Sequence, residues 1–147
     1  PCAETGFHSV PADPTLPGLC DQTGLSNVNA PEWRHNTSLE ANAPIAGTKM
    51  EWFARWTSVF LDDHDTAEDK DFRGFQKSFW LHDAAVGLAG QDGTWEVKGW
   101  VKNLTDEQYI VTGGVTNVPA NFGSRGSYLI YLGLPRMYGI EFSYNFK

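Results

Sequence analysis

The sequence predicts an all-β fold, read as about five strands of an antiparallel transmembrane β-barrel. Three observations predict it. Several segments alternate apolar and polar residues with a period of two. One of them runs to about 12 residues, longer than the usual globular strand and long enough to cross a bilayer at a tilt. The connections alternate short, long, short, long, as barrels with tight inner turns and long outer loops do.

Residues 1–32 show no periodicity and are rich in Pro and Gly, so they read as an outer loop. Cys2 and Cys20 bracket much of it. An even cysteine count at the ends of one loop suggests a disulfide and an oxidising compartment. Closing such a loop stabilises by about 3 kcal/mol against the unfolded chain. A zinc site is disfavoured, because the pair lacks CxxC spacing and His8 is the only nearby imidazole.

The first strand spans residues 33–43. Trp33, His35, Thr37, Leu39, Ala41 and Ala43 take one face, while Arg34, Asn36, Ser38, Glu40 and Asn42 make the other wholly polar. Pro44 and Gly47 punctuate a short turn. The second strand, residues 49–61, places Met50, Trp52, Ala54, Trp56, Ser58 and Phe60 together. A long acidic loop follows to about Gln76, in which Asp62, Asp63, Asp65, Glu68, Asp69 and Asp71 face only Lys70 and Arg73. Such a charge run reads as a solvated loop.

The third strand, residues 78–89, gathers Trp80, Ala84, Val86 and Leu88, with His82 breaking the apolar face. Gly90-Gln91-Asp92-Gly93 has hairpin-turn chemistry. The fourth strand, residues 94–103, sets Trp95, Val97, Gly99 and Val101 against Glu96, Lys98, Trp100 and Lys102. Residues 104–134 read as irregular. The last strand, residues 136–146, sets Tyr138, Ile140, Phe142, Tyr144 and Phe146 against Gly139, Glu141, Ser143 and Asn145.

A net charge of −7 and a pI near 4.9 argue against a nucleic-acid partner. Mean hydropathy is −0.38 and no run approaches a membrane helix; alternating strands average to such values, and 14 % aromatic residues fit interfacial girdles. Five strands cannot close a barrel, since eight is the smallest single-chain number. The outer strands are therefore expected to pair with protein beyond this chain. Pro1 opens inside a loop, which adds to the expectation of a piece of a longer protein.

Three segments carry a family likeness. Trp95-Glu96-Val97-Lys98-Gly99-Trp100-Val101-Lys102-Asn103-Leu104-Thr105-Asp106-Glu107-Gln108-Tyr109 resembles the penultimate strand of TonB-dependent outer-membrane receptors. Pro135-Arg136-Met137-Tyr138-Gly139 and the aromatics after it resemble their final strand, and Asn29-Ala30-Pro31-Glu32-Trp33 resembles the opening of an earlier one. The resemblance implies the C-terminal strands of a twenty-two-stranded barrel in the bacterial outer membrane. It implies uptake of a scarce small-molecule ligand (siderophore-iron, a vitamin or an oligosaccharide) energised by TonB. The implied partners are the remaining barrel and its plug, TonB through an N-terminal part this chain lacks, outer-membrane lipid and the barrel-assembly machinery. Gly139, Phe142, Tyr144 and Phe146 match the family's assembly signal, and Lys147 departs from it by following the terminal aromatic.

No cofactor, metal or catalytic role is expected. GxSxG and HExxH are absent. Asp62-Asp63-His64-Asp65 matches no EF-hand, and Ser78 and His82 lie four apart on an extended strand, beyond hydrogen-bond reach. Asn103, Thr105 and Asp106 read as backbone-turn residues. Candidate ligand contacts are His64 and Asp65 in the acidic loop, and Tyr109, Asn117, Asn121, Phe122, Arg125 and Tyr128 in the last loop. Two other function classes fit the alternation: a soluble secreted carbohydrate-binding β-sandwich and a passive porin-like barrel.

Overall fold

The computed structural model describes residues 27–67, 72–115 and 128–146. Among these residues the fold is all-β, and every strand pair is antiparallel. Its strands are β1 (Arg34–Pro44), β2 (Met50–Leu61), β3 (His64–Asp65), β4 (Phe75–Gln76), β5 (Phe79–Gly90), β6 (Trp95–Lys102), β7 (Ile110–Val115), β8 (Tyr128–Leu132) and β9 (Met137–Tyr144). Phe72–Gly74 forms one 3-10 turn.

Two compact units divide these elements. The first is an open five-stranded sheet in the order β1-β2-β5-β6-β9. β1 and β9 are its edges, each paired on one side only among the described residues. Tight turns join β1 to β2 and β5 to β6. Each needs a left-handed residue, supplied by Gly47 (φ 77°) and Gly93 (φ 70°). Asp92 Oδ1 accepts from the Thr94 N–H and hydroxyl, fixing the second turn. The Gln91 N–H donates to Lys49 O and the Asn145 N–H to Thr94 O. Both short turns and the end of β9 therefore sit at one end of the sheet.

Register settles the two faces. Cross-strand partners share a face, and faces alternate along each strand. One row is Ala41-Ala54-Val86-Gly99-Ile140; its neighbour on the other face is Glu40-Arg55-Ala85-Trp100-Gly139. Extended over the sheet, every charged side chain of the five strands falls on the second face: Arg34, Glu40, Glu51, Arg55, Asp83, Glu96, Lys98, Lys102 and Glu141. The first face carries no Asp, Glu, Lys or Arg. Its rings concentrate toward the strand ends, with Trp52, Trp95, Phe142 and Tyr144 near the short turns and Trp56, Phe60, Trp80 and Tyr138 near the other end.

The large side chains of the apolar face are exposed. Tyr138 is 81 % exposed, Ile140 84 %, Phe142 66 % and Val86 63 %. With 150–250 Å² per large side chain, this face exposes apolar surface on the order of 1,000 Å², well beyond the patches that soluble monomers carry. Little core exists in this unit, and what there is lies on the polar face, where Phe53 is buried against its cross-strand partner Gly87. Trp100 covers its partner Gly139 in the same way. Glycine opposite a ring lets the ring lie flat on the backbone, a device that fixes register.

The second unit holds the short pairs β3–β4 and β7–β8. Both lie in stretches that the sequence presents as irregular. Their alternation is hidden because β3 and β4 are two residues long, β7 contains Gly113-Gly114, and β8 reads Tyr-Leu-Ile-Tyr-Leu without a polar face. No disulfide is found among the described residues; Cys2 and Cys20, the expected pair, lie outside them.

Candidate functional site

The polar face of the sheet is built from ion pairs across strands. Arg55 Nε meets its partner Glu40 at 3.2 Å, and the Arg55 guanidinium lies 4.8 Å over the Phe53 ring. Lys98 Nζ donates to its partner Glu141 at 2.9 Å and reaches Glu96 on its own strand at 3.4 Å. Exposed pairs of this kind stabilise little, under about 1 kcal/mol each. Their effect is to hold charge in pairs on one side of the sheet. A shallow depression of about 150 Å³ on this face touches Arg55, Thr57, Asp83, Ala85, Trp100 and Lys102. An indole platform flanked by two cations and a carboxylate suits a polar ligand with a flat or anionic part.

Above β6 the chain turns sharply at Asn103. This residue is buried and left-handed (φ 51°). Its Nδ2 donates to Glu107 O and Leu134 O, and its Oδ1 accepts from the Glu107 N–H at 2.8 Å. Asp83 Oδ1 accepts from the Asn103 N–H. Asp106, also left-handed (φ 57°), accepts from the Arg136 N–H at 2.8 Å. The Asn-Leu-Thr-Asp segment thus ties the end of β6 to the start of β9. These polar side chains satisfy backbone groups of the turn.

In the second unit, Thr66 is fully enclosed. Its hydroxyl donates to Gly74 O at 2.6 Å, and its carbonyl accepts from the Gly113 N–H. Gln76 Oε1 accepts from the Ile110 N–H at 2.6 Å. The Asn29 N–H donates to Asp65 O, with Asn29 itself at φ 55°. These bonds join segments distant in sequence into one body.

Of the sequence-derived ligand candidates, His64, Asp65, Tyr109 and Tyr128 are described in this unit. His64 and Asp65 form β3 and are buried, and His64 Nδ1 bonds Asp62 O at 2.8 Å. Tyr109 is occupied in packing, for its ring lies directly on Gly133. Tyr128 packs on Gly74 and Gly113, with the Arg73 guanidinium 4.5 Å above its ring. Pairing puts Tyr128 opposite Val115 and Ile110 opposite Leu132, so Tyr109 and Tyr128 stand at opposite ends of the hairpin, on the order of 20 Å apart. The two tyrosines do not share a site. Asn117, Asn121, Phe122 and Arg125 lie outside the described residues. No group of three metal-binding side chains occurs among the described residues.

Of the residues expected to form an assembly signal, Gly139 lies under Trp100 on the polar face. Phe142 and Tyr144 project from the apolar face, and Phe146, 91 % exposed, meets Tyr144 edge-on at 4.8 Å. Sequence reasoning missed one cluster. On the apolar face Ser58 stands directly opposite His82, and the His82 ring is stacked between Trp56 (5.6 Å) and Trp80 (5.9 Å). Only the cross-strand register, 24 residues apart in sequence, brings Ser58 and His82 together. No protein-family model, no curated protein and no solved structure matches the chain.

Proposed function

We propose that this chain forms the C-terminal strands of a TonB-dependent receptor barrel in a bacterial outer membrane, working in energised uptake of a scarce small-molecule ligand. One observation carries the reading: the sheet confines all its charged side chains to one face and exposes an uncharged, ring-bordered face on the other. Water penalises that face and a bilayer's hydrocarbon favours it. Strand length agrees. β2 and β5 each hold 12 residues, about 40 Å along the strand and about 30 Å along a barrel axis at the usual tilt, the thickness of a hydrocarbon core.

In this reading the paired charges of the polar face line the lumen, and the depression beside Trp100 is open to ligand or plug. The short turns and the end of β9 lie at the periplasmic end. The edges β1 and β9 pair with the remaining strands of the barrel, because unpaired N–H and C=O groups cost several kcal/mol each in hydrocarbon. The Asn103–Asp106 turn sets where the β6 and β9 strands leave the membrane.

Fractionation of cells expressing the protein tests this. The expected outcome is recovery from the outer membrane only with detergent, in a band whose gel mobility changes on heating. Recovery as a monodisperse monomer without detergent would overturn it and favour a soluble carbohydrate-binding sandwich. An encoded plug and TonB-contacting segment separate the energised receptor from a passive porin.

A further inference from the structure

The apolar face has one polar row. Thr37, Ser58 and His82 are successive cross-strand partners on β1, β2 and β5. His35, two residues from Thr37 on the same face, bonds the Thr37 hydroxyl through Nε2 at 2.6 Å. Rings frame the row: Trp56 and Trp80 lie nearly parallel to the His82 imidazole, at 14° and 10°, and His35 meets Trp80 edge-on. Ser58 is 1 % exposed and its Oγ has no hydrogen-bond partner; nor does the enclosed Nδ1 of His82. Unsatisfied buried polar atoms are uncommon and call for a reason.

Facing Cβ atoms of a cross-strand pair lie about 5 Å apart, a separation that a seryl hydroxyl and an imidazole Nδ1 can bridge. A hydroxyl donating there makes Nδ1 the acceptor and puts the ring proton on Nε2. The indoles stack on both sides of the imidazole. The outcome is a fixed N–H donor on an otherwise uncharged surface, among the rings at the end of the sheet away from the short turns. Resting on the membrane reading above, the row stands three residues short of the ends of β2 and β5 that face away from the short turns, just inside the interface where headgroups replace acyl chains.

We propose that His35, Thr37, Ser58 and His82, framed by Trp56 and Trp80, form an outward-facing site for the phosphate of a membrane-lipid headgroup. His82 Nε2–H donates to a phosphate oxygen, Ser58 sets the tautomer, and the indoles pack against the top of the acyl chains.

The test uses the complete receptor, purified in maltoside micelles, stripped of lipid and re-equilibrated with phosphatidylglycerol, with diacylglycerol or with inorganic phosphate. Lipid retained after gel filtration is counted by mass spectrometry. Phosphatidylglycerol should be retained at least fivefold more than diacylglycerol, and inorganic phosphate should not compete at millimolar concentration. His82→Phe keeps the stacked ring and should abolish the preference; Ser58→Ala should reduce it. Competition by inorganic phosphate would reassign the site to a free anion. Equal retention of both lipids, or a His82→Phe variant that retains phosphatidylglycerol as the parent does, would overturn the proposal. If the parent needs no detergent, the membrane reading itself fails; if it enters micelles without the preference, only this site fails.

Discussion

Ile140→Arg separates a lipid-facing sheet from a water-facing one. Ile140 is 84 % exposed and pairs with Gly99 in the row that carries no ring. A Cβ built on Gly99 meets nothing within 4 Å, so a long side chain at 140 has room and no clash enters the result. On a wet surface such a substitution changes stability by no more than about 0.5 kcal/mol. At the middle of a bilayer, arginine on the lipid face of a barrel costs about 2–4 kcal/mol, a factor of roughly 30 to 700 in the unfolding constant at 1.4 kcal/mol per decade. The assay is guanidinium unfolding of the full-length protein in phospholipid vesicles. Ser143→Arg, three residues on and on the polar face beside Glu96 and Glu141, is the matched control and should stay within about 0.5 kcal/mol. A neutral Ile140→Arg, or equal losses at both positions, would refute the assignment of faces.

Three further outcomes follow from local geometry. Gly87→Val drives a side chain into the Phe53 ring and the Val97 carbonyl; it should cost about 1–3 kcal/mol by overpacking, while Gly99→Ala should be nearly neutral in the same unfolding assay. Asn103→Ala removes three side-chain bonds and keeps a left-handed backbone. A loss of about 3 kcal/mol is expected at roughly 1 kcal/mol per bond, and Asn103→Gly should recover about 1 kcal/mol of it by relieving φ; hydrogen exchange at Glu107 should speed up in both. A double-mutant cycle on Glu40 and Arg55, whose side chains are 57 % and 47 % exposed, should give a coupling below about 1 kcal/mol that shrinks with added salt.

What could be read from the sequence was whatever repeats locally. A period of two survives in β1, β2, β5, β6 and β9 because each has one consistently apolar face, and the Gly-containing turns announce their own positions. Register does not repeat locally. The matches of Phe53 to Gly87, Trp100 to Gly139 and Ser58 to His82 each join strands by pairing, so a polar-face Phe and an apolar-face His both look like flaws until the partner is known. The hairpin β7–β8 escapes for a different reason: a strand of Tyr128, Leu129, Ile130, Tyr131 and Leu132 has no polar alternation to detect. The same loss of pattern hides how three of the ligand candidates are packed. His64 and Asp65 read as a solvated acidic loop, yet both are buried in β3. Tyr109 looks available for ligand contact, yet its ring lies on Gly133.

The side of β9 that meets lipid is measured most directly by a nitroxide scan from residue 137 to 144, in the full-length protein in vesicles with Cys2 and Cys20 replaced by Ser. Oxygen dissolves in lipid and a nickel chelate in water, so their collision rates report the medium at each site. Oxygen maxima are expected at Tyr138, Ile140, Phe142 and Tyr144 with nickel maxima at Gly139, Glu141 and Ser143, following the faces fixed by pairing to β6. High nickel accessibility at all positions, without alternation, would contradict that expectation.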